Sequence, residues 1–235
     1  MPKRYWWIIL TYILCQISGF LVATPLLNFL PKSQRFGAWT TFSFIACLII
    51  ILILLLPERH MASRWRQTGF GATILWSFLG IILVYLAEIV TGIIDQAVFG
   101  APNTSENTQE IMNLARISPY VIVAIVIIGP MLEEIIFRKI IFGALEKRFH
   151  FWIAAIASAF LFAIAHHDGH LIIYGSIGLV LAFIYYKTGR IIVSMIAHAS
   201  MNAIAVIVTL SPAIQKMLEE EQQRQHLSFI KWLFM

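Results

Sequence analysis

Three short groups of residues interrupt apolar stretches of the chain with side chains able to do chemistry: Glu133-Glu134-Ile-Ile-Phe-Arg138, Phe162-Ala-Ile-Ala-His166 and His198-Ala-Ser-Met-Asn202. On a helix, residues four apart share a face. Glu134 and Arg138 can therefore pair and lower the cost of burying both charges. Glu133 points about 100° away, and its positions i+3 and i+4 are Ile136 and Phe137. A carboxylate without a local cation in a low-dielectric site is the kind of group that serves as a general base or acid near neutral pH. Phe162 stacks under His166 on one face. His198 and Asn202 place two hydrogen-bond donors toward one small target, the arrangement an oxyanion needs.

The elements that must position these groups are membrane helices. Of the 235 residues 60% are hydrophobic and only 12% charged, against roughly 45–50% and about 25% in an ordinary soluble domain. The apolar residues come in long blocks, the mark of an all-α polytopic bundle. About seven spans (six to eight) are expected, near residues 5–29, 38–56, 70–99, 119–145, 151–165, 171–186 and 191–210. A single integral membrane domain covers 1–235. Within it, 1–116 holds N-terminal spans and an outer loop, 117–210 the functional core, and 211–235 a polar, amphipathic tail. The stretch 100–116 reads as an extracytoplasmic loop, and 216–226 as a charged helix.

The net charge of +5 does not point to nucleic acid, because the basic residues flank apolar blocks. Arg59, Arg64 and Arg66, then Lys147-Arg148, then Lys187 and Arg190 mark the cytoplasmic side. This predicts a multi-pass plasma-membrane protein with its N-terminus inside. Trp6, Trp7, Trp39, Trp65, Trp152 and Trp232 fall near span ends, as in an interfacial belt. Cys15 and Cys47 lie in apolar runs with no histidine or cation nearby, so neither a disulfide nor a cysteine nucleophile is expected. P-loop, dinucleotide-binding and Gly-x-Ser-x-Gly patterns are absent, as is His-Glu-x-x-His. His166, His198 and one glutamate remain an open set for zinc, should three helices converge; no cofactor is otherwise expected.

In this order the three groups resemble the CAAX protease and bacteriocin-processing (CPBP, Abi) family of intramembrane proteases, which includes the prenyl-protein endopeptidases. Its motifs Glu-Glu-x-x-x-Arg, Phe-x-x-x-His and His-x-x-x-Asn are matched by Glu133, Glu134 and Arg138, by Phe162 and His166, and by His198 and Asn202. The glycines Gly175 and Gly178 and the Thr188-Gly189 ending look like the family's penultimate helix. The resemblance implies an endopeptidase in which Glu133 and His166 activate water and His198 and Asn202 meet the oxyanion. Glu134, Arg138 and Phe162 would order the site or the substrate. It implies a non-metal mechanism and a membrane-anchored or lipid-modified protein or peptide as partner. Two other readings stand beside it: a non-catalytic peptide-binding or self-immunity protein, and a transporter suggested by Glu88, Asp95 and Gly129-Pro130. Oligomeric state is open. Counted along the helices at 1.5 Å per residue, Glu133 and His198 lie roughly 15 Å and roughly 12 Å from the basic ends of their spans. That predicts a cavity opening toward the cytoplasm. His166, roughly 22 Å from the start of its own span, fits this picture only with a strong tilt.

Overall fold

The computed structural model describes residues 1–58, 65, 67–100, 106–167, 169–217 and 220, and their side chains except at 20, 22–26, 106–108 and 111. The sequence expectations for Arg59, Arg64, Arg66, Asp168, most of the 216–226 stretch, and Trp232 with the end of the chain lie outside these residues. The described chain is all helical. α1 (Lys3–Leu26) and α2 (Lys32–Leu55) form a hairpin, and a short turn of helix at Leu56–Glu58 around Pro57 ends α2. α3 (Phe70–Phe99) packs on the last two long helices. α4 (Glu106–Ile117) is a short amphipathic helix. A continuous helix over 121–146, here α5, is followed by α6 (Phe151–Ala165), α7 (Leu171–Thr188) and α8 (Ile191–Leu210).

Four stretches, Lys32–Glu58, α3, α7 and α8, are long and apolar enough to cross a membrane. With α1, α5 and the 15-residue α6 they make the seven passes expected. Their outward faces are apolar throughout, with Leu14, Ile53, Phe78, Ile82, Leu86 and Ile156 all exposed. Only lipid makes such a surface stable.

α5 is the central element, touching α1, α2, α6, α7 and α8. It is not a regular α-helix. Val121–Val123, Gly129–Glu134 and Gly143–Glu146 are α-helical, while Ala124–Ile128 and Ile135–Phe142 are wide π turns. The N–H of Gly129 reaches the carbonyl of Ala124, five residues back, and that of Gly143 reaches Arg138. The first widening has a local cause. Pro130 has no N–H and its ring would crowd the carbonyl four residues before it, so the ladder slips to the wider spacing. A Cβ at Gly129 would stand 3.2 Å from the Ala124 oxygen, so a small residue suits this position. Wide turns of this kind gather at functional sites, and here they bracket the two glutamates.

α6 and α7 approach closely along Ala155, Ser158 and Ala159 on one side and Gly178 on the other, the small-residue packing of membrane helices. A Cβ at Gly178 would stand 2.9 Å from the Ala159 Cα. The Ser158 hydroxyl donates to the Phe137 carbonyl at 2.7 Å and ties α6 to the second wide turn of α5.

One expectation needs correction, and a second gains detail. The stretch read as an outer loop contains α4, which buries Met112 and Ala115 and whose Arg116 donates to the Thr209 carbonyl at the end of α8. The high share of Asn, Thr and Glu concealed its narrow apolar stripe. Trp65, expected in the interfacial belt, is half-buried by other aromatic rings. It packs against Phe142, Tyr185 and Tyr186 at ring separations of 6.0, 4.9 and 6.1 Å.

Candidate active site

The structure brings all three sequence groups to one place. Glu134 and Arg138 pair on one face of α5, Nε to Oε2 3.2 Å, with both side chains fully buried. The Arg138 guanidinium also lies over the Phe162 ring, 4.3 Å from its centre. Phe162 is thus a shared platform between the cation and two imidazoles. His166 stands 4.4 Å from it and His198 5.8 Å, each near edge-on.

His198 sits between the two glutamates. Its Nδ1 is 3.1 Å from Glu134 Oε1 and its Nε2 is 3.6 Å from Glu133 Oε2. A carboxylate only accepts, so Nδ1–H donates to Glu134. Glu133 makes no ion pair or hydrogen bond within its own helix, and its near partner is His198 across the bundle. The two neighbours differ in one decisive respect: the Glu134 side chain is fully buried, whereas that of Glu133 is 20% exposed and faces a cavity.

His166 closes the end of α6. Its Nδ1 is 2.8 Å from the Phe162 carbonyl. Since a carbonyl accepts, Nδ1 carries the proton and Nε2 of the neutral ring is an acceptor. The ring stacks on Tyr174 of α7 at 4.0 Å. Asn202, one turn beyond His198 on α8, donates through Nδ2 to the Ile125 carbonyl at 2.9 Å. That carbonyl belongs to the first wide turn of α5, and the amide keeps its second N–H for another acceptor. Glu133, His166, His198 and Asn202 all line a cavity of about 1320 Å³.

Sequence reasoning missed several neighbours. His170, in the turn between α6 and α7, pairs through Nδ1 with Asp95 of α3 at 2.7 Å, both buried. Asp95 was visible as a charge within a span, but no spacing links residues 75 positions apart. Tyr174 is invisible for the same reason. The cavity also takes walls from α1 to α4, among them Tyr12, Gln16, Thr40, Glu88, Glu110 and Asn113. Among the described residues, its acidic and histidine side chains are not matched by any Lys or Arg in the lining. Among the described residues no three His, Cys, Asp or Glu side chains converge as a metal ligand set.

The cavity does not open where the sequence count placed it. It lies in the half of the bundle marked by the ends of α3 and α8, the turn between α6 and α7, and α4, away from the basic connections. The count gave depth from one end of each helix. It could not register that large side chains fill that end: Arg138, Phe142, Leu181 and Ile184 are essentially inaccessible below the glutamates. His166, which fitted the count only with a strong tilt, lies naturally on the cavity side.

Comparison with known proteins relates the chain to membrane peptidases. The family model described as Type II CAAX prenyl endopeptidase Rce1-like matches residues 115–204, the stretch from before α5 to beyond Asn202. YdiL of Bacillus subtilis (strain 168), named as a candidate membrane peptidase, is 39% identical over 240 residues, covering 97% of each chain. The membrane-embedded CAAX protease MroQ of Staphylococcus aureus (strain USA300) is 31% identical, over 95% of this chain and 98% of MroQ. The UPF0177 protein YvdC of Lactococcus lactis subsp. lactis (strain IL1403) is 26% identical over 73% of this chain and 68% of its own length. No solved structure matches the chain. The chain belongs to the Rce1-like CAAX endopeptidase family of membrane peptidases.

Proposed function

We propose that the protein is an intramembrane endopeptidase that hydrolyses a peptide bond of a membrane-anchored or lipid-modified protein or peptide, with Glu133 as the base. The observation that carries this reading is the division of labour between adjacent carboxylates. Glu134 is sealed against Arg138 and His198, while Glu133 reaches the cavity beside His198, and His166 lines the same cavity.

In this mechanism a water is held between Glu133 and Nε2 of His166. It attacks the scissile carbonyl carbon as Glu133 takes its proton. The carbonyl oxygen becomes an oxyanion and receives N–H donors from His198 and the second amide hydrogen of Asn202. Collapse of the tetrahedral intermediate breaks the C–N bond, and Glu133 returns the proton to the leaving amine. Donation from Nε2 requires His198 in its doubly protonated form, because Nδ1–H is engaged by Glu134. Two carboxylates, one guanidinium and one imidazolium then balance, which suits a site where net charge is expensive. Arg138 and Phe162 hold Glu134, His198 and His166 in register. No cofactor enters this scheme, and zinc is decided by measurement. Metal analysis of purified protein is expected to give well below one equivalent per chain. Stoichiometric zinc, lost together with activity on chelation, would replace Glu133 as activator by a Lewis acid.

The direct test uses purified protein in detergent and a library of fluorogenic peptides bearing an apolar anchor. Cleavage by wild type and its loss in a folded Glu133→Gln variant supports the assignment. Undiminished cleavage by that variant refutes it, and binding without cleavage by wild type returns the protein to the non-catalytic reading.

A further inference from the structure

We infer that this site is served from the extracytoplasmic side, and that the bond it cuts lies in a juxtamembrane peptide segment in the outer half of the membrane. The inference rests on the peptidase reading but concerns a different property, the side of access. The two ends of the bundle are fixed by contacts. At one end Glu58 bridges Arg4 and Lys139 at 3.2 Å each, and Arg190 donates to the Thr68 carbonyl at 2.6 Å. At the other, Asp95 holds His170 and Arg116 reaches Thr209.

The connections at the first end carry Arg59, Arg64 and Arg66, Lys147-Arg148, and Lys187 with Arg190. Those at the second carry Lys32, Arg35 and Arg116, and Arg35 is turned onto its own loop, donating to Asn28 and the Leu30 carbonyl. The excess of Lys and Arg in short connections sets the first end in the cytoplasm. That end is plugged by Trp65, Phe142, Phe151, Tyr185 and Tyr186, whose rings meet at 4.8 to 6.4 Å.

The cavity lies at the other end. α6 has 15 residues and so rises only about 22 Å, short of the ~30 Å hydrocarbon core. Its turn into α7 is therefore sunk in the outer half of the membrane, where non-helical backbone is tolerated because it borders a cavity. α1 and α3 both line that cavity. Ile13 and Ile17 on one, and Ile89 and Ile93 on the other, are exposed and also line it. A peptide anchored in the outer leaflet can slide in between them without leaving apolar surroundings.

The test is thiol labelling of the full chain in cells, in a Cys15→Ser, Cys47→Ser background. Asn113→Cys stands at the exposed cavity rim, and His150→Cys stands at the opposite end without altering a Lys or Arg. A membrane-impermeant maleimide is expected to label Asn113→Cys in intact cells at least tenfold more than His150→Cys, with the two equal after membranes are disrupted. Labelling of His150→Cys in intact cells, or protection of Asn113→Cys there, overturns the inference. Failure of the peptidase reading is seen separately, as cleavage retained by Glu133→Gln, and leaves the labelling pattern unchanged.

Discussion

Glu133 and Glu134 are chemically identical and adjacent, yet their surroundings give them opposite tasks. Removing the exposed one should remove chemistry alone, whereas disturbing the buried one should cost stability. Arg138→Met takes the guanidinium away from the fully buried Glu134 and leaves it His198 alone, a loss of about 3–5 kcal/mol for a broken buried pair. The expected result is a clear fall in the melting temperature of the purified protein in detergent. Replacing both partners, Glu134→Met with Arg138→Met, should recover more than half of that loss while leaving the enzyme inactive, because His198 then has no Nδ1 partner. Asn202→Ala removes one proposed oxyanion donor, and kcat is expected to fall about 100-fold or more with KM little changed. The residue pairs at i,i+4 spacing were legible in the sequence because helical geometry alone puts them on one face. Asp95–His170 and His166–Tyr174 were not, since only the approach of α3 and α7 to the turn after α6 creates them.

The elements are placed by small residues and by wide turns. Gly178 lets α7 meet α6 at Ala159, and its position also borders Phe162 at 3.4 Å. Gly178→Val should therefore cost about 1–3 kcal/mol by overpacking and slow cleavage as the Phe162 platform shifts. Gly175→Ala is the internal control: nothing lies within 4 Å of its Cβ position. It is expected to leave the melting temperature unchanged or slightly raised, as helix propensity favours alanine. A thermal melt of both variants checks the pair. Spans α3, α6 and α8 were readable to the residue because length, apolarity and flanking Gly, Pro or basic residues coincide. α4 was hidden by its polar surface. The wide turns of α5 had no periodic signature, because the slip at Gly129-Pro130 is a local response to a missing N–H.

At the scale of the molecule, one end is closed by aromatic packing and the other holds a cavity lined with carboxylates, histidines and, among the described residues, no Lys or Arg. Depth along a helix, which sequence provides, does not say which end is filled; side-chain volume packed between helices decides that. The N-terminal helices, which precede most of the family match at 115–204, form about half of the wall of the cavity that holds Glu133 and the histidines. The central claim is Glu133-dependent proteolysis within the membrane. It is tested most directly by comparing the membrane proteomes of cells expressing wild type and Glu133→Gln at equal levels, scoring new termini beside membrane anchors. A set of cleaved membrane-anchored proteins or peptides is expected with wild type and not with Glu133→Gln. An identical set of termini in both would contradict it.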